Sequence, residues 1–535
     1  MIGTSAAEYY FIRLCIVGLH YLAPLALCYC ALNILLHGLQ VAIYRVPLVI
    51  ECVAVAEALF FLCVYLPYKS YLQREAVHPT PPTREERQEL FQLCNENIEN
   101  PREYLQKWFL GADLKDIKRE NVKEFFLWAF FNRGGPPGDD DEELEEYVSA
   151  METLLGEPIE AGRGKAKCLR LTLDEVKMLH RSLIWYLCVG FVDFLAYIAL
   201  LYHGFHFHRT SLSRFFTLFP FRWQSLFSTY RSPAKHTMYW HRPHTSPTKL
   251  PMLFIHGIGI GYYPYTNFLS ELNSTAGIES SDPNDQVGII AIEIMPVAFR
   301  ITHHALGREE LCAEIDQIIH EHFGPDQKFI LASHSYGTVI STHLLKTPKI
   351  AKRIGPMVLV DPVSMLLHLP DVAYHFTRRQ PKHANEHQLY YFASMDMGVS
   401  HTLSRHFFWN ENVLWKKDLE GRKVTASLSG KDLIVDTLAV GRYLSDQPKS
   451  TTIPYRDNPE MASTQDADEN STVRLRTNEN STHVDTNDEE WQSRPWKGTG
   501  IEVLWFKDLD HAQVFDSKIC RRRLIDVIRA YSESG

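Results

Sequence analysis

The sequence predicts an α/β protein, in which a mostly parallel central sheet flanked by helices occupies the C-terminal half behind an apolar helical N-terminal region. From about Thr237 onward, short apolar runs alternate with helix-period patterns, as in successive βα units. One of these runs, residues 329–332, ends in Ser333-His334-Ser335-Tyr336-Gly337, and a helix-compatible stretch follows at once. The first 75 residues hold two apolar stretches long enough to cross a bilayer.

A chain of 535 residues exceeds one ordinary domain. Composition divides it into a transmembrane hairpin anchor (1–75), a helical region with a linker (76–236) and the α/β domain (237–535). A net charge of −9 and a pI near 6.3 argue against nucleic acid as a partner. Of ten cysteines, five lie in the N-terminal apolar region and only Cys312 and Cys520 in the α/β domain. They lack metal-ligand spacing, so free thiols are expected rather than a disulfide framework.

At the N-terminus, no basic segment and small-residue cleavage site of a signal peptide is present. Residues 14–36 are apolar apart from His20 and Asn33, and residues 48–68 carry Glu51 and Glu57. A carboxylate at mid-span costs about 3 kcal/mol unless paired or neutral, so Glu57 calls for a polar contact. A soluble hairpin packed on the core is the alternative, but so many consecutive apolar residues favour the membrane. Lys69, Arg74, Arg84 and Arg87 place the following flank in the cytosol.

Pro79, Pro81 and Pro82 break the chain, and Thr83-Arg84-Glu85-Glu86 forms a capping box opening amphipathic helices over 83–132. The acidic run 139–146 reads as solvated surface. A second capping box, Thr172-Leu173-Asp174-Glu175, predicts a long helix that is apolar over 183–203 except for Asp193. That segment is compatible with a third span or a buried helix, and basic residues flank it on both sides. Two spans leave the α/β domain cytosolic, in an integral protein of an intracellular membrane. Three would place it in a lumen. Residues 214–223 mix aromatics with arginines, as membrane-surface segments and interior clusters both do.

Within the α/β domain, strands are predicted at 252–255, 287–294, 329–332, 357–360, 424–428 and 502–506. Two stretches interrupt the pattern. Residues 362–415, rich in aromatics and histidines, occupy the place of a lid. Residues 445–497, poor in apolar residues, read as a disordered insertion that includes glycosylation-type sequons at Asn470 and Asn480.

A serine turned outward between a strand and a helix needs small neighbours two residues away, and Gly337 and Ser333 meet that demand. Its hydroxyl becomes nucleophilic only when a histidine takes the proton and a carboxylate fixes that histidine's tautomer. One known arrangement runs serine, acid, histidine along the chain. Downstream of Ser335, Asp432 follows the strand at 424–428, with Asp436 a weaker candidate one helical turn on. Asp361, after the strand at 357–360, is the rival acid. His511, after the last strand, is the candidate base. An oxyanion site needs two amide N–H donors. Tyr336 supplies one, and Gly257 or Ile258, in the glycine-rich loop His256-Gly257-Ile258-Gly259-Ile260-Gly261, supplies the other.

With His256-Gly257, Ser333-x-Ser335-x-Gly337, Gly430-x-Asp432 and His511 in this order, residues 237–535 resemble an α/β-hydrolase fold domain. The likeness is to membrane-anchored serine lipases and esterases of the fungal type. It implies hydrolysis of a lipid or small ester through an acyl-enzyme formed on Ser335, with Asp432 and His511 completing the triad and no metal or cofactor. Acyl transfer on the same fold and a non-catalytic membrane scaffold are the alternatives. His383-Ala384-Asn385-Glu386-His387 matches a zinc-peptidase pattern, but no third ligand is evident and a polar lid helix is expected there.

Overall fold

The computed structural model describes residues 2–37, 47–275, 278–279, 284–446 and 489–533. The N-terminal apolar stretches form α1 (Ala6–His37) and α2 (Leu48–Leu72). Four amphipathic helices follow: α3 (Arg84–Glu96), α4 (Pro101–Trp108), α5 (Arg119–Phe131) and α6 (Asp141–Leu155). Thr83 and Glu86 close a capping box at the start of α3, satisfying two otherwise orphaned amides. The apolar helix α7 (Leu183–Tyr202) begins later than the Thr172 motif suggests. Residues 171–174 instead form a turn in which Asp174 accepts the Arg170 amide, and Ser182 caps α7.

The eight strands of the central sheet are β1 (His206–His208), β2 (Tyr239–Arg242), β3 (Met252–Ile255), β4 (Ile289–Ile292), β5 (Phe329–His334), β6 (Ile354–Val360), β7 (Val424–Ser429) and β8 (Ile501–Phe506). Their spatial order is β1-β2-β4-β3-β5-β6-β7-β8. β2 runs antiparallel to both β1 and β4, and all remaining pairs are parallel. Strands β3, β4, β5 and β7 are buried at every residue. Accordingly β3, β4 and the first four residues of β5 read as continuous apolar runs, whereas β7 alternates with buried Thr425, Ser427 and Ser429. Helices α8 (Arg308–Phe323), α9 (Gly337–Leu345) and α10 (Lys518–Ser532) cover the sheet. This strand order, with one early antiparallel strand and a sharp turn after β5, is the α/β-hydrolase fold.

The helical layer α3–α6 is not a separate body. Its core residues Trp108 and Phe125 share one cluster with Leu367, Val413 and Trp415 of the segment between β6 and β7. Trp409 Nε1 donates to the Ala129 carbonyl at 2.8 Å, and Lys107 pairs with Asp371 at 2.7 Å. The 362–415 insertion is thereby sandwiched between the sheet and the helical layer. All ten cysteines are free. Most of the 445–497 insertion, with both sequons, lies outside the described residues.

Candidate active site

β5 ends at His334, and Ser335 adopts a positive φ of 51° before α9 begins at Gly337. An L-residue at positive φ is strained, and the packing here holds it. A Cβ at position 337 would meet the Ile255 carbonyl oxygen at 2.4 Å, so only glycine fits there. Two residues before the apex, Ser333 is fully buried and accepts a 2.8 Å hydrogen bond from Ser341 on α9. Serine therefore serves where a glycine would normally stand, its hydroxyl tying strand to helix.

His511 lies on the loop after β8, and its Nε2 stands 2.8 Å from Ser335 Oγ. Its Nδ1 stands 2.7 Å from Asp432 Oδ2, on the loop after β7. The other Asp432 oxygen accepts the amides of Ile434 and Val435 at 2.7 and 3.0 Å, fixing the carboxylate. With Nδ1–H donating to Asp432, Nε2 is free to accept from the serine hydroxyl. Burial opposes protonation of His511, yet the charge and hydrogen bond of Asp432, aided by Asp361 and Asp510, outweigh it and lift its pKa to about 9.

The other two candidate acids sit elsewhere. Asp436 caps the helix Thr437–Leu444 by accepting the Ala439 amide. Asp361 is fully buried at a positive φ of 44° and accepts the Ala512 amide at 2.8 Å. Burial, reinforced by the neighbouring charge of Asp432, drives its pKa upward, toward the neutral acid. Asp361 thus holds the loop next to His511 without touching the ring nitrogen.

Tyr336 and Ile258 carry amide N–H groups with no hydrogen-bond partner among the described residues. The Gly257 amide is engaged, donating to Tyr265 Oη at 3.3 Å. A Cβ on Gly257 would fall 2.8 Å from Ser335 Cβ, so this loop lies directly against the serine. His256 is buried, and its Nε2 accepts the Ile294 amide at 2.9 Å, holding the loop to the end of β4.

Sequence reasoning missed a network behind the serine. Tyr265 Oη stands 2.8 Å from His334 Nδ1, and His334 Nε2 faces Asp361 Oδ2 at 3.8 Å. Burial, followed by the nearby His511, drives the His334 pKa well down, so this ring is neutral. Nothing in the spacing of Tyr265 marked it. Asn385 was also missed, although it lies inside the zinc-like motif: its side chain donates to Asp510 at 2.8 Å. In that motif Glu386 is an N-terminal cap, accepting the Lys382 and His383 amides, and His387 contacts Arg13. No group of close metal-ligating side chains among the described residues includes His383 or His387.

Ser335 is only 5% exposed. A cavity of about 180 Å³ lies against its neighbour Tyr336, with a wall that is part apolar (Leu306, Leu311, Ile340) and part polar (His236, Glu293, Arg308). The arrangement combines a strained hydroxyl, an imidazole oriented by a carboxylate, two available amides and an adjacent cavity of mixed polar and apolar lining.

No family model matches the sequence, and no curated protein matches it. Similar solved structures include a bacterial membrane phospholipase A, 8% identical with a TM-score of 0.35, covering 65% of this chain and 94% of that one. The carboxylesterase CesB of Bacillus subtilis is 12% identical with a TM-score of 0.29, covering 64% and 99%. A thermophilic esterase of Thermogutta terrifontis is 11% identical with a TM-score of 0.31, covering 55% and 95%. The fold assignment rests on the strand order and on the turn at Ser335.

Proposed function

We propose that this protein is a membrane-anchored serine hydrolase that cleaves carboxylic esters, with acylglycerol or phospholipid chains as the substrate class. The observation that carries the reading is the continuous hydrogen-bonded line Ser335–His511–Asp432, with distances of 2.8 and 2.7 Å. His511 takes the proton as Ser335 Oγ attacks the ester carbonyl, and Asp432 stabilises the imidazolium. The amides of Tyr336 and Ile258 receive the oxyanion, each donor contributing about 3 kcal/mol. His511 then protonates the departing alcohol, and water attacks the acyl-serine in the second half-reaction. Gly257 contributes by lying close to the serine rather than by donating.

The cavity beside Tyr336 offers an aliphatic side (Leu306, Leu311, Val339 and Ile340) for part of an acyl chain, facing a polar side that carries His236, His303, Glu293 and Arg308. Three helices are long and apolar enough to cross a membrane, α1, α2 and α7, which supports attachment to a bilayer that would supply such a substrate. In the hairpin, Glu51 accepts from Tyr29 Oη at 3.0 Å and Glu57 accepts the Leu183 and Ile184 amides at 2.8 and 3.0 Å. Both carboxylates are therefore compatible with an apolar surround.

Fluorophosphonate labelling of washed membranes tests the reading. The native chain is expected to label and Ser335→Ala to remain unlabelled. A folded native chain that does not label, in detergent or in vesicles, would instead support a scaffold.

A further inference from the structure

We propose that α7 does not cross a membrane but lies along the surface of a lipid bilayer, its outer face in the interfacial layer, so that the chain before and after it stays on one side. Length and hydropathy alone qualify α7 as a span. Its packing does not. Trp185, Val189, Asp193, Ala196 and Leu200 recur every three or four residues and are buried along the whole helix. One face is therefore committed to the protein from end to end.

Asp193 is held especially firmly. Arg222 donates to both of its oxygens at 3.0 and 3.1 Å, Arg300 pairs with it at 3.1 Å, and Gln224 also donates to it. Arg222 in turn pairs with Glu293, which follows β4 and accepts from Trp240 Nε1 at 2.9 Å. The acidic residue that interrupts the apolar run is thus tied into the sheet. Breaking such a buried set to free the helix would cost several kcal/mol.

The two flanks settle the direction of the argument. Before α7, the Lys177 carbonyl accepts from Ser400, and the Leu179 amide donates to Met395 at 3.0 Å. After α7, β1 pairs with β2 in the central sheet. A 20-residue helix is about 30 Å long, close to the thickness of the hydrocarbon core. If it crossed, the helical layer and the sheet would stand on opposite sides of the bilayer. The helical layer instead shares its core with Leu367, Val413 and Trp415 of the segment that joins β6 to β7 of the sheet.

The opposite face of α7 is exposed and uncharged, with Leu187, Phe191, Phe194, Ile198 and Leu201 outward. A stripe of this size is unsuited to water. The occupant is a bilayer because this face continues into two others of the same character. Pro220 lies against Gly190, and in the same loop Phe216 (80% exposed), Trp223 and Phe227 are exposed. On the other side, Glu57 of α2 binds the amides that begin α7, and Phe60 packs against Tyr186 and Phe219. From Glu57 onward α2 therefore lies on the protein, and its exposed apolar residues before Glu57 lie beside the start of α7. Exposed aromatic side chains beside a one-sided apolar helix are the pattern of an interfacial segment.

The test uses the full chain in sealed native membranes and does not depend on catalysis. Epitope tags inserted after the exposed Gly135 and at the C-terminus bracket α7. Both are expected to show the same protease accessibility, whereas opposite accessibility would overturn the proposal. Trypsin cleavage of the untagged chain near Arg163 and Arg522, on the two sides of α7, asks the same question should the insertion disturb folding. In phosphatidylcholine vesicles carrying a diazirine on the acyl chain, adducts are expected at Phe191 and Ile198. Tags on one side without adducts there would also overturn the proposal, because the face would then be covered by a second copy or by water.

Discussion

Asn385 donates a 2.8 Å hydrogen bond to the Asp510 carboxylate, whose other oxygen accepts the amide of the next residue, His511. Asn385 belongs to the short helix Ala384–Gln388, and two residues further on that helix meets α1. Ile2 donates to Gln388 at 3.0 Å, and Arg13 reaches His387 Nδ1 at 3.3 Å. The N-terminal apolar helix is therefore one short helix away from the loop that aims the proposed base. Asn385→Ala leaves Asp510 buried without this donor, a loss of about 1–3 kcal/mol. The expected result is a roughly tenfold lower kcat/KM. Burial already drives the Asp510 pKa up, so Asn385→Asp, which adds a carboxylate, is expected to be worse. A merely structural role would leave the pH profile of the surviving activity unmoved, and that profile is the measurement to make.

The pH dependence follows from His511. A base must be unprotonated to act, so kcat/KM on a neutral ester rises with pH as His511 loses its proton. Burial alone would lower its pKa, but Asp432 raises it to about 9, which places the midpoint above 6.5. Asp432→Asn removes the attraction, so the midpoint is expected to move down while kcat falls by roughly 10⁴-fold. Initial rates across pH 5–10 on both proteins check the sign.

Gly257→Ala puts a Cβ 2.8 Å from both Ser335 Cβ and His334 Nδ1. The serine or the loop must shift, and a displacement of about 1 Å costs about 100-fold in rate. Fluorophosphonate labelling is expected to slow accordingly, while circular dichroism stays native.

Asp193→Ala strips the shared partner from Arg222 and Arg300, leaving two buried guanidiniums with Glu293 alone as a carboxylate partner from the cluster. The expected loss is about 3–5 kcal/mol. Thermal unfolding in detergent measures it, and the midpoint is expected to fall even though the site near Ser335 is untouched.

Much of the central sheet was legible because strands buried on both faces are rich in apolar residues, as Met252–Ile255 and Ile289–Ile292 are. The edge strand β1 and its antiparallel neighbour β2 were not, since His206-Phe207-His208 and Tyr239-Trp240-His241-Arg242 carry polar side chains that interrupt an apolar run. The long helix expected from Thr172 is replaced by a turn and an extended segment. Asp174 turns back to the Arg170 amide, and residues 176–179 are drawn out to bond Gln73 and Met395.

Local rules were enough to mark Ser335, because a strained turn between strand and helix admits only small neighbours, and to order His511 and the acids behind it on strand ends. Which acid meets the imidazole was a tertiary matter. Asp361 and Asp432 both follow parallel strands, but only the loop after β7 brings a carboxylate to Nδ1, while Asp361 is turned to the Ala512 amide. The same holds for the Gly257 amide, which Tyr265 occupies from another element. For α7, hydropathy measured only how apolar the helix is. Its orientation depends on where Asp193 finds its arginines, and those lie 29 and 107 residues further along the chain, brought to it only by folding.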